Sequence, residues 1–400
     1  MSWPKQPVAE LCEFAIDCVN KTAPTVDHET PYKMIRTTNI KNGFIDLNQV
    51  KYVSKEVFLK WTRRSKPKYG DVILTREAPV GEIGRYTSSD ENVLLGQRLF
   101  HYRPNPQKLD WNFLAYVLMS PQVQGYLKGI GFGATVDHIK VGDAENLEIP
   151  CPPIEMQKCI GNILSNYDSL IENNKRRIQL LEDFARLLYE EWFVRLRFPG
   201  YEGVKIEGGL PKGWKHKTFG EICSVLKKTI LPENISPKTP YIGLEHMPRR
   251  SITLSEWGDA ADVTSTKFKF NPGNILFGKI RPYFHKVGIA LTEGITSSDM
   301  IVLEASSPRE LPFTLLTASS DSFVAIVSKT VKEGSKMPRA DIKVMEAHQI
   351  RYPSDEILQK FDRIVEPILL ELKVLSFQMK KLAQARDLLL PRLMNGEIAV

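Results

Sequence analysis

The sequence lacks any long apolar run. Nothing in its 400 residues approaches the roughly 18 consecutive apolar residues of a continuous membrane span. Residues Met1 to Glu10 also lack the charged-then-apolar order of a signal peptide, so the expectation is a cytoplasmic chain with no membrane partner. Cysteine is sparse: the five residues Cys12, Cys18, Cys151, Cys159 and Cys223 form no C-x-x-C pair and no His-Cys cluster. That excludes a zinc-finger spacing and a disulfide framework and leaves packed thiols. The seven histidines are scattered.

Catalytic signatures are missing as well. No G-x-x-x-x-G-K-S/T loop is present to cradle ATP phosphates. An adenine methyltransferase needs an Asn/Asp-Pro-Pro-aromatic loop to grip a flipped base. The nearest stretch, Asn271-Pro272-Gly273-Asn274, lacks the second proline and the aromatic, and reads as a turn before a strand. Gly129, Gly131 and Ala134 fit G-x-G-x-x-A but follow a helical stretch where the dinucleotide fingerprint opens one. No cluster of Asp, Glu and Lys suits metal-dependent cleavage. The expectation is therefore a non-catalytic chain with no cofactor and no metal site.

What is present is a long heptad pattern that occurs twice. Ile160, Leu164, Tyr167, Ile171, Asn174, Ile178, Leu181, Ala185, Leu188 and Trp192 recur at alternating steps of four and three, the spacing of a coiled-coil seam. An ungapped offset of 201 turns this series into Phe361, Val365, Ile368, Leu372, Leu375, Met379, Leu382, Arg386, Leu389 and Leu393. The flanks follow, since Ile149, Pro152 and Glu155 fall on Ile350, Pro353 and Glu356. A helix of about 40 residues is roughly 60 Å long, more than a compact domain needs, so each helix reads as a spacer seeking the other. Asn174 is a lone seam polar residue of the register-fixing kind, with Leu375 as its counterpart. Pro367 predicts a kink or a late start in the second helix. Trp192 continues the seam with Phe193 beside it, and core packing is the reading preferred over a partner interface.

Outside the helices the plan repeats too. Pro31 to Ile40, Phe44 to Val53 and Asp71 to Leu74 read as strands and Trp111 to Leu127 as a helix. Trp3 matches Trp214, Pro31-Tyr32 matches Pro240-Tyr241, and Gly70-Asp71-Val72-Ile73 matches Gly273-Asn274-Ile275-Leu276. Phe113 and Ser120 match Phe313 and Ser320, and Ile139-Lys140-Val141 matches Ile342-Lys343-Val344. The fold class expected is α+β: two mixed α/β domains in a pseudo-two-fold arrangement, joined by two long helices forming an antiparallel coiled coil. The boundaries are 1–150, first domain; 151–197, first spacer helix; 198–350, linker and second domain; and 351–400, second helix and tail. The net charge of +7 is mild. Lys and Arg exceed Asp and Glu by two over 1–150, four over 198–350 and one over 351–400, and balance over 151–197. Two unlike half-domains on a fixed spacer suit an asymmetric, split DNA target.

In order and content the chain resembles the specificity subunits of type I restriction-modification systems. The resemblance is carried by Ile149-Pro150-Cys151-Pro152-Pro153-Ile154-Glu155-Met156-Gln157, by Leu210-Pro211-Lys212-Gly213-Trp214, and by the two Gly-Asp/Asn strand starts at Gly70 and Gly273. The C-terminal Leu388-Leu389-Leu390-Pro391-Arg392-Leu393-Met394-Asn395-Gly396-Glu397-Ile398 completes it. The second helix departs from the pattern with Pro353-Ser354 in place of Pro-Pro. The resemblance implies two target recognition domains, a helical ruler, double-stranded DNA as ligand, two modification (methyltransferase) subunits as partners, and restriction (motor and nuclease) subunits joining them. S-adenosylmethionine, ATP and Mg then belong to those partners.

Phosphate-contact candidates are Arg63, Arg64, Lys66 and Lys68 in the first half, and Lys227, Lys228, Arg249, Arg250, Lys267 and Lys269 in the second. Surface solvation is the competing reading for about half of them. Base-reading candidates from loops are Arg76, Arg98, Thr135 and His138, then Glu245, His246, Lys279, Arg281, His285 and Lys336. Arginine can grip guanine at two points and glutamate can accept from the cytosine amino group. Arg76 and Arg281 flank the same loop in each half, though either can instead support a neighbouring carboxylate. The alternatives to a specificity subunit are a stand-alone bipartite DNA-binding protein, an enzyme in its own right, and a scaffold that pairs other proteins.

Overall fold

A computed structural model describes residues 3–130, 138–329, 337–398 and 400. The chain divides into two compact units, Met1–Leu170 with Lys381–Val400, and Ile171–Lys380. The division crosses both long helices, so each unit holds a segment of each.

The first unit is built on an antiparallel sheet whose spatial order is Cys12–Asp17, Leu99–Pro104, Val72–Thr75 and Ile83–Arg85. Alternation along Val72–Thr75 explains its place. Val72 and Leu74 enter a core with Phe100, Phe113 and Leu164, while Ile73 enters another with Ile35 and Tyr86. A smaller sheet orders Lys51–Tyr52, Lys33–Ile35 and Val93–Leu95, the last two parallel.

The second unit repeats this plan. Cys223–Leu226, Met300–Ala305, Ile275–Gly278 and Val287–Ala290 are neighbours in that order, with Thr253–Leu254 added at the edge. Ile275 and Phe277 enter one core and Leu276 the other. The turns before the equivalent strands are chemically the same. Asp71 accepts from the Lys68 amide and Asn274 from the Asn271 amide, both at 2.7 Å, with Gly70 and Gly273 at φ +89°. The internal repeat is thus a repeat of hydrogen bonds as well as of letters, and Asn271-Pro272-Gly273-Asn274 is the turn its alignment predicts.

Several elements differ from expectation. The strand over 31–40 shortens to Lys33–Ile35, because Asn39 accepts from the Arg36 amide and closes a turn at Thr37–Asn39. That over 44–53 splits into Phe44–Ile45 and Lys51–Tyr52. The helix over 111–127 is two helices, Trp111–Met119 and Pro121–Ile130; Pro121 forces Ser120 into an extended conformation with ψ 146°. Asp110 starts the first of these by accepting from the Phe113 amide.

The long helices span Ile154–Tyr189 and Asp355–Met394. The first closes in a π-turn, Glu190–Val194, where the Arg195 amide reaches the Glu190 carbonyl at 2.8 Å. Pro367 does not delay the second. It lies exposed beyond twelve helical residues, where water can satisfy the carbonyl it leaves unpaired.

In the first unit Ile160 and Leu164 pack with Leu390 and Leu393, and Tyr167 and Leu389 are half-buried. In the second, Phe361, Val365, Ile368 and Leu372 are buried, with Ile178, Leu181 and Leu188 against them; Leu375 is buried and Ile171 and Met379 half-buried. Leu382, back in the first unit, is half-buried too. Asn174 has a polar partner that the seam alignment lacks: its Nδ2 donates to Gln378 Oε1 at 3.3 Å. One turn on, Arg177 pairs with Glu371 at 2.6 Å, so within this unit the helices run antiparallel. Trp192 and Phe193 pack around Phe361, as the core reading expects.

Leu372 is fully buried, whereas Leu370 is 54% exposed on the same helix. Leu372→Ala is expected to cost about 3 kcal/mol of unfolding free energy, while Leu370→Ala stays within about 0.5 kcal/mol. Denaturant titration of both variants tests the seam assignment, and equal losses would contradict it.

Candidate nucleic-acid interface

In the first unit the basic segment 63–68 is held from below by a buried polar network. His101 is inaccessible to solvent; its Nε2 lies 2.7 Å from Asp71 Oδ2 and its Nδ1 2.9 Å from Ser65 Oγ. A carboxylate only accepts, so Nε2 carries the hydrogen and Nδ1 accepts from the serine hydroxyl. Arg103 grips Asp71 at two points, 2.9 and 2.7 Å, and also donates to the Lys66 carbonyl. Burial acts to raise the Asp71 carboxyl, but hydrogen bonds from Arg103 and His101 outweigh it and hold it below the ordinary range. Ser65, His101 and Asp71 share the residue types of a hydrolytic triad. The ring is sealed from solvent and the carboxylate is committed to Arg103, so the network is a mount. It leaves Arg63, Arg64 and Lys68 exposed, with Lys66 half-buried and paired with Glu91 at 3.1 Å.

The second unit presents two basic groups. Lys227 and Lys228 lead into Thr229–Ile230, which pairs with Lys267–Phe270 at a sheet edge, so they lie beside Lys267 and Lys269. Lysines at a sheet edge also discourage strand addition, which is their competing structural role. In the other group, the Arg249 guanidinium lies 4.2 Å from the Phe284 ring centre and that of Arg281 5.8 Å. The Arg250 amide donates to the His285 carbonyl at 2.9 Å, and its side chain pairs with Asp321. This segment is pinned to the first long helix: Arg186 donates to the Arg250 carbonyl, and Glu182 accepts from Ser251 Oγ and the Thr253 amide.

Two base-reading candidates are in the wrong place. Arg76 is buried, its Nη1 2.5 Å from Asp17 Oδ1 and its Nε donating to the Ile139 carbonyl, so it supports a carboxylate. His285 is buried with Nε2 2.7 Å from the Ser319 carbonyl and Nδ1 3.4 Å from Asp321. Burial lowers its affinity for a proton, so Nε2 donates to that carbonyl from a neutral ring. Arg98 is exposed but paired with Glu77 at 3.0 Å, and His138 bridges the backbone of Glu77. Ile280 and Arg339 form the equivalent bridge in the second unit. Glu245 and Arg281 are exposed, His246 accepts from the Gly243 amide, and Lys279 shares a cleft with Lys227 and Phe268. Thr135 and Lys336 lie outside the described residues.

Sequence reasoning missed the anchors Asp71, His101 and Arg103, and the aromatics Tyr283 and Phe284. Only the Asp71/Asn274 match hinted at the first, and only the Arg-Pro-aromatic-aromatic order at the second. Among the described residues, no group of three or more His, Cys, Asp or Glu side chains is placed to hold a metal. Among the same residues, no single helix is long and apolar enough to cross a membrane.

Fold and surface together define a duplicated α+β protein on two long helices, with basic segments mounted on buried polar groups. The family model for the type I restriction modification DNA specificity domain matches residues 3–183. The MjaIX specificity subunit of Methanocaldococcus jannaschii is 27% identical over 360 residues, covering 87% of this chain and 82% of the relative. The EcoDI specificity subunit of Escherichia coli is 22% identical over 303 residues, 67% of each chain. A crystal structure of a type I restriction-modification S subunit from M. genitalium has the same fold, with TM-score 0.62 at 19% identity over 98% of this chain and 96% of that one. Residues 3–183 thus match the type I restriction modification DNA specificity domain, and over most of its length the chain is similar to type I restriction enzyme specificity subunits.

Two outcomes follow from these mounts. Arg76→Gln leaves Asp17 without its partner and is expected to cost about 3 kcal/mol of stability; lost DNA affinity at unchanged stability would instead place Arg76 at the interface. Burial holds the His101 ring below its ordinary value of 6.5, against the opposing pull of Asp71. As pH falls through 6.5 the unfolded chain binds a proton that the folded one refuses, so this histidine lowers stability progressively toward its folded value. His101→Gln should therefore flatten the dependence of the denaturation midpoint on pH below 6.5, and an unchanged slope would mean that the ring titrates normally.

Proposed function

We propose that this chain is the sequence-reading subunit of a type I restriction-modification complex, contacting an asymmetric, bipartite DNA target through two unlike recognition domains. The observation that carries this is a duplicated fold whose exposed arginines lie in different places: Arg63 and Arg64 precede the central strand of one unit, whereas in the other Arg249 and Arg281 gather on Phe284. A repeated scaffold keeps the geometry of two readers constant, while unlike side chains give each its own half-site. Residues 1–150 and 198–350 are the recognition domains, and the helices of 151–197 and 351–400 set their spacing.

The likeness to specificity subunits points to a non-catalytic role for the chain itself. Methyl transfer, ATP hydrolysis and cleavage fall to modification and restriction subunits, which carry S-adenosylmethionine, ATP and Mg, in the cytoplasm. Two modification subunits dock on the outer faces of the helices. Leu187 and Leu388, equivalent at the 201 offset, are 56% and 71% exposed, which supports two matching sites.

Expression beside the modification gene, followed by genome-wide mapping of methylated adenines, should return a split motif with a fixed gap. Shortening both helices by one heptad should change the gap and leave the half-sites intact; altered half-sites would defeat the ruler. DNA affinity should fall steeply with salt, by about one unit of log-log slope per phosphate contact. A salt-independent affinity, or a motif produced by the modification subunit alone, would favour a scaffold.

A further inference from the structure

The two units carry the same hairpin with opposite tips. Val72–Thr75 pairs with Ile83–Arg85, and Ile275–Gly278 with Val287–Ala290. Between the first pair lies Arg-Glu-Ala-Pro-Val-Gly-Glu, residues 76–82, whose single cation is buried on Asp17, and whose glutamates are engaged, Glu77 by Arg98 and Glu82 by the Asn42 amide. Between the second pair lies Lys-Ile-Arg-Pro-Tyr-Phe-His-Lys, residues 279–286, with three Lys or Arg, two aromatics and no acid. The first tip offers a polyanion no free cation of its own, whereas the second draws it.

The second tip is also built to keep its shape. Arg281 and His285 hold left-handed backbones, φ +48° and +52°, on either side of the turn Pro282–Phe284. Neither is glycine, so the surroundings must hold the strain. They do: the Arg281 amide donates to the Pro338 carbonyl at 2.7 Å, the His285 ring meets the Ser319 carbonyl, and the His285 carbonyl accepts from Arg250. Above this base, Tyr283 is 54% exposed and stands edge-on to Phe284 at 4.9 Å. Arg249 and Arg281 lie against the same Phe284 ring. An aromatic tip flanked by arginines that keep free edge donors can stack on or wedge beside bases while the guanidiniums reach guanine edges or phosphates. Nearby acids are Asp321, occupied by Arg250, and Glu245, which lies beside His246.

We propose that residues Arg281–His285, with Tyr283 at the tip and Arg249 and Arg281 beside it, form the base-contacting element of the second unit, and that the equivalent tip of the first unit, residues 76–82, does not touch DNA. The two recognition domains then read their half-sites with non-equivalent elements of one repeated fold. This rests on the DNA-reading function proposed above.

The test uses the full chain co-expressed with its modification subunit, and reads the methylated motif of wild type, Tyr283→Ala, Arg249→Ala with Arg281→Ala, and Glu82→Gln. The expected result is that the tyrosine and arginine variants still co-purify with the partner, yet methylation at sites mismatched in one half-site rises about tenfold or more relative to the cognate site. The other half-site stays as in wild type, and Glu82→Gln leaves both unchanged. An unaltered motif from both second-unit variants, an equal loss at both half-sites, or a half-site change from Glu82→Gln would overturn the proposal while the DNA-reading function stands. A wild-type complex giving no split motif would overturn that function and the proposal with it.

Discussion

The first unit depends on one buried carboxylate. Asp168, on the first long helix, accepts from Arg85 Nη2 at 2.7 Å, Tyr116 Oη at 2.5 Å and Arg386 Nη1 at 2.6 Å. Those donors belong to a sheet strand, a packing helix and the second long helix, so four elements converge on two oxygens. Apolar packing brings such elements together but tolerates sliding. A shared buried charge does not, because any slip leaves Arg85 desolvated and unpaired at a cost of several kcal/mol. Asp168 therefore sets the register with which the helical segments meet the sheet in this unit.

The same logic reaches the surface. Exposed lysines and arginines are flexible and lose entropy when ordered, so a reading surface works best when its backbone is fixed beforehand. In the first unit the Asp71, His101 and Arg103 network fixes the segment carrying Arg63, Arg64 and Lys68. In the second, Glu182 and Arg186 fix the segment carrying Arg249 and Arg250. Burial pushes the Glu182 carboxyl upward, against hydrogen bonds from Thr253 and Ser251 that favour its charged form. These anchors are tied to the long helices or to the central sheet, so the interface inherits the rigidity of the core.

Much of the fold was legible because periodic patterns survive as geometry. The heptad steps placed both long helices, and the repeated Gly-Asp/Asn start located the same central strand and the same turn in both units. Errors arose where a local competitor beat the pattern. Pro121 broke a helix whose apolar face continued past it, Asn39 closed a turn inside a strand-like run, and the tolerance of Pro367 depended on solvent exposure. The candidate site was less legible. Arg76 and Arg281 occupy equivalent hairpins, but Asp17 waits beside one and Phe284 beside the other, and neither partner lies within reach of a sequence window.

The sequence by itself determined the repeat, the two spacer-length helices and the resemblance to specificity subunits, since each is written in spacing and order along the chain. Only the tertiary structure decided which cations are free, because a charge's role is set by what folding brings to it from distant positions. Asp17 buries Arg76 from 59 residues away, and Ser319 holds His285 from 34. Desolvation then turns the side chains that chemistry alone would select as readers into parts of the frame.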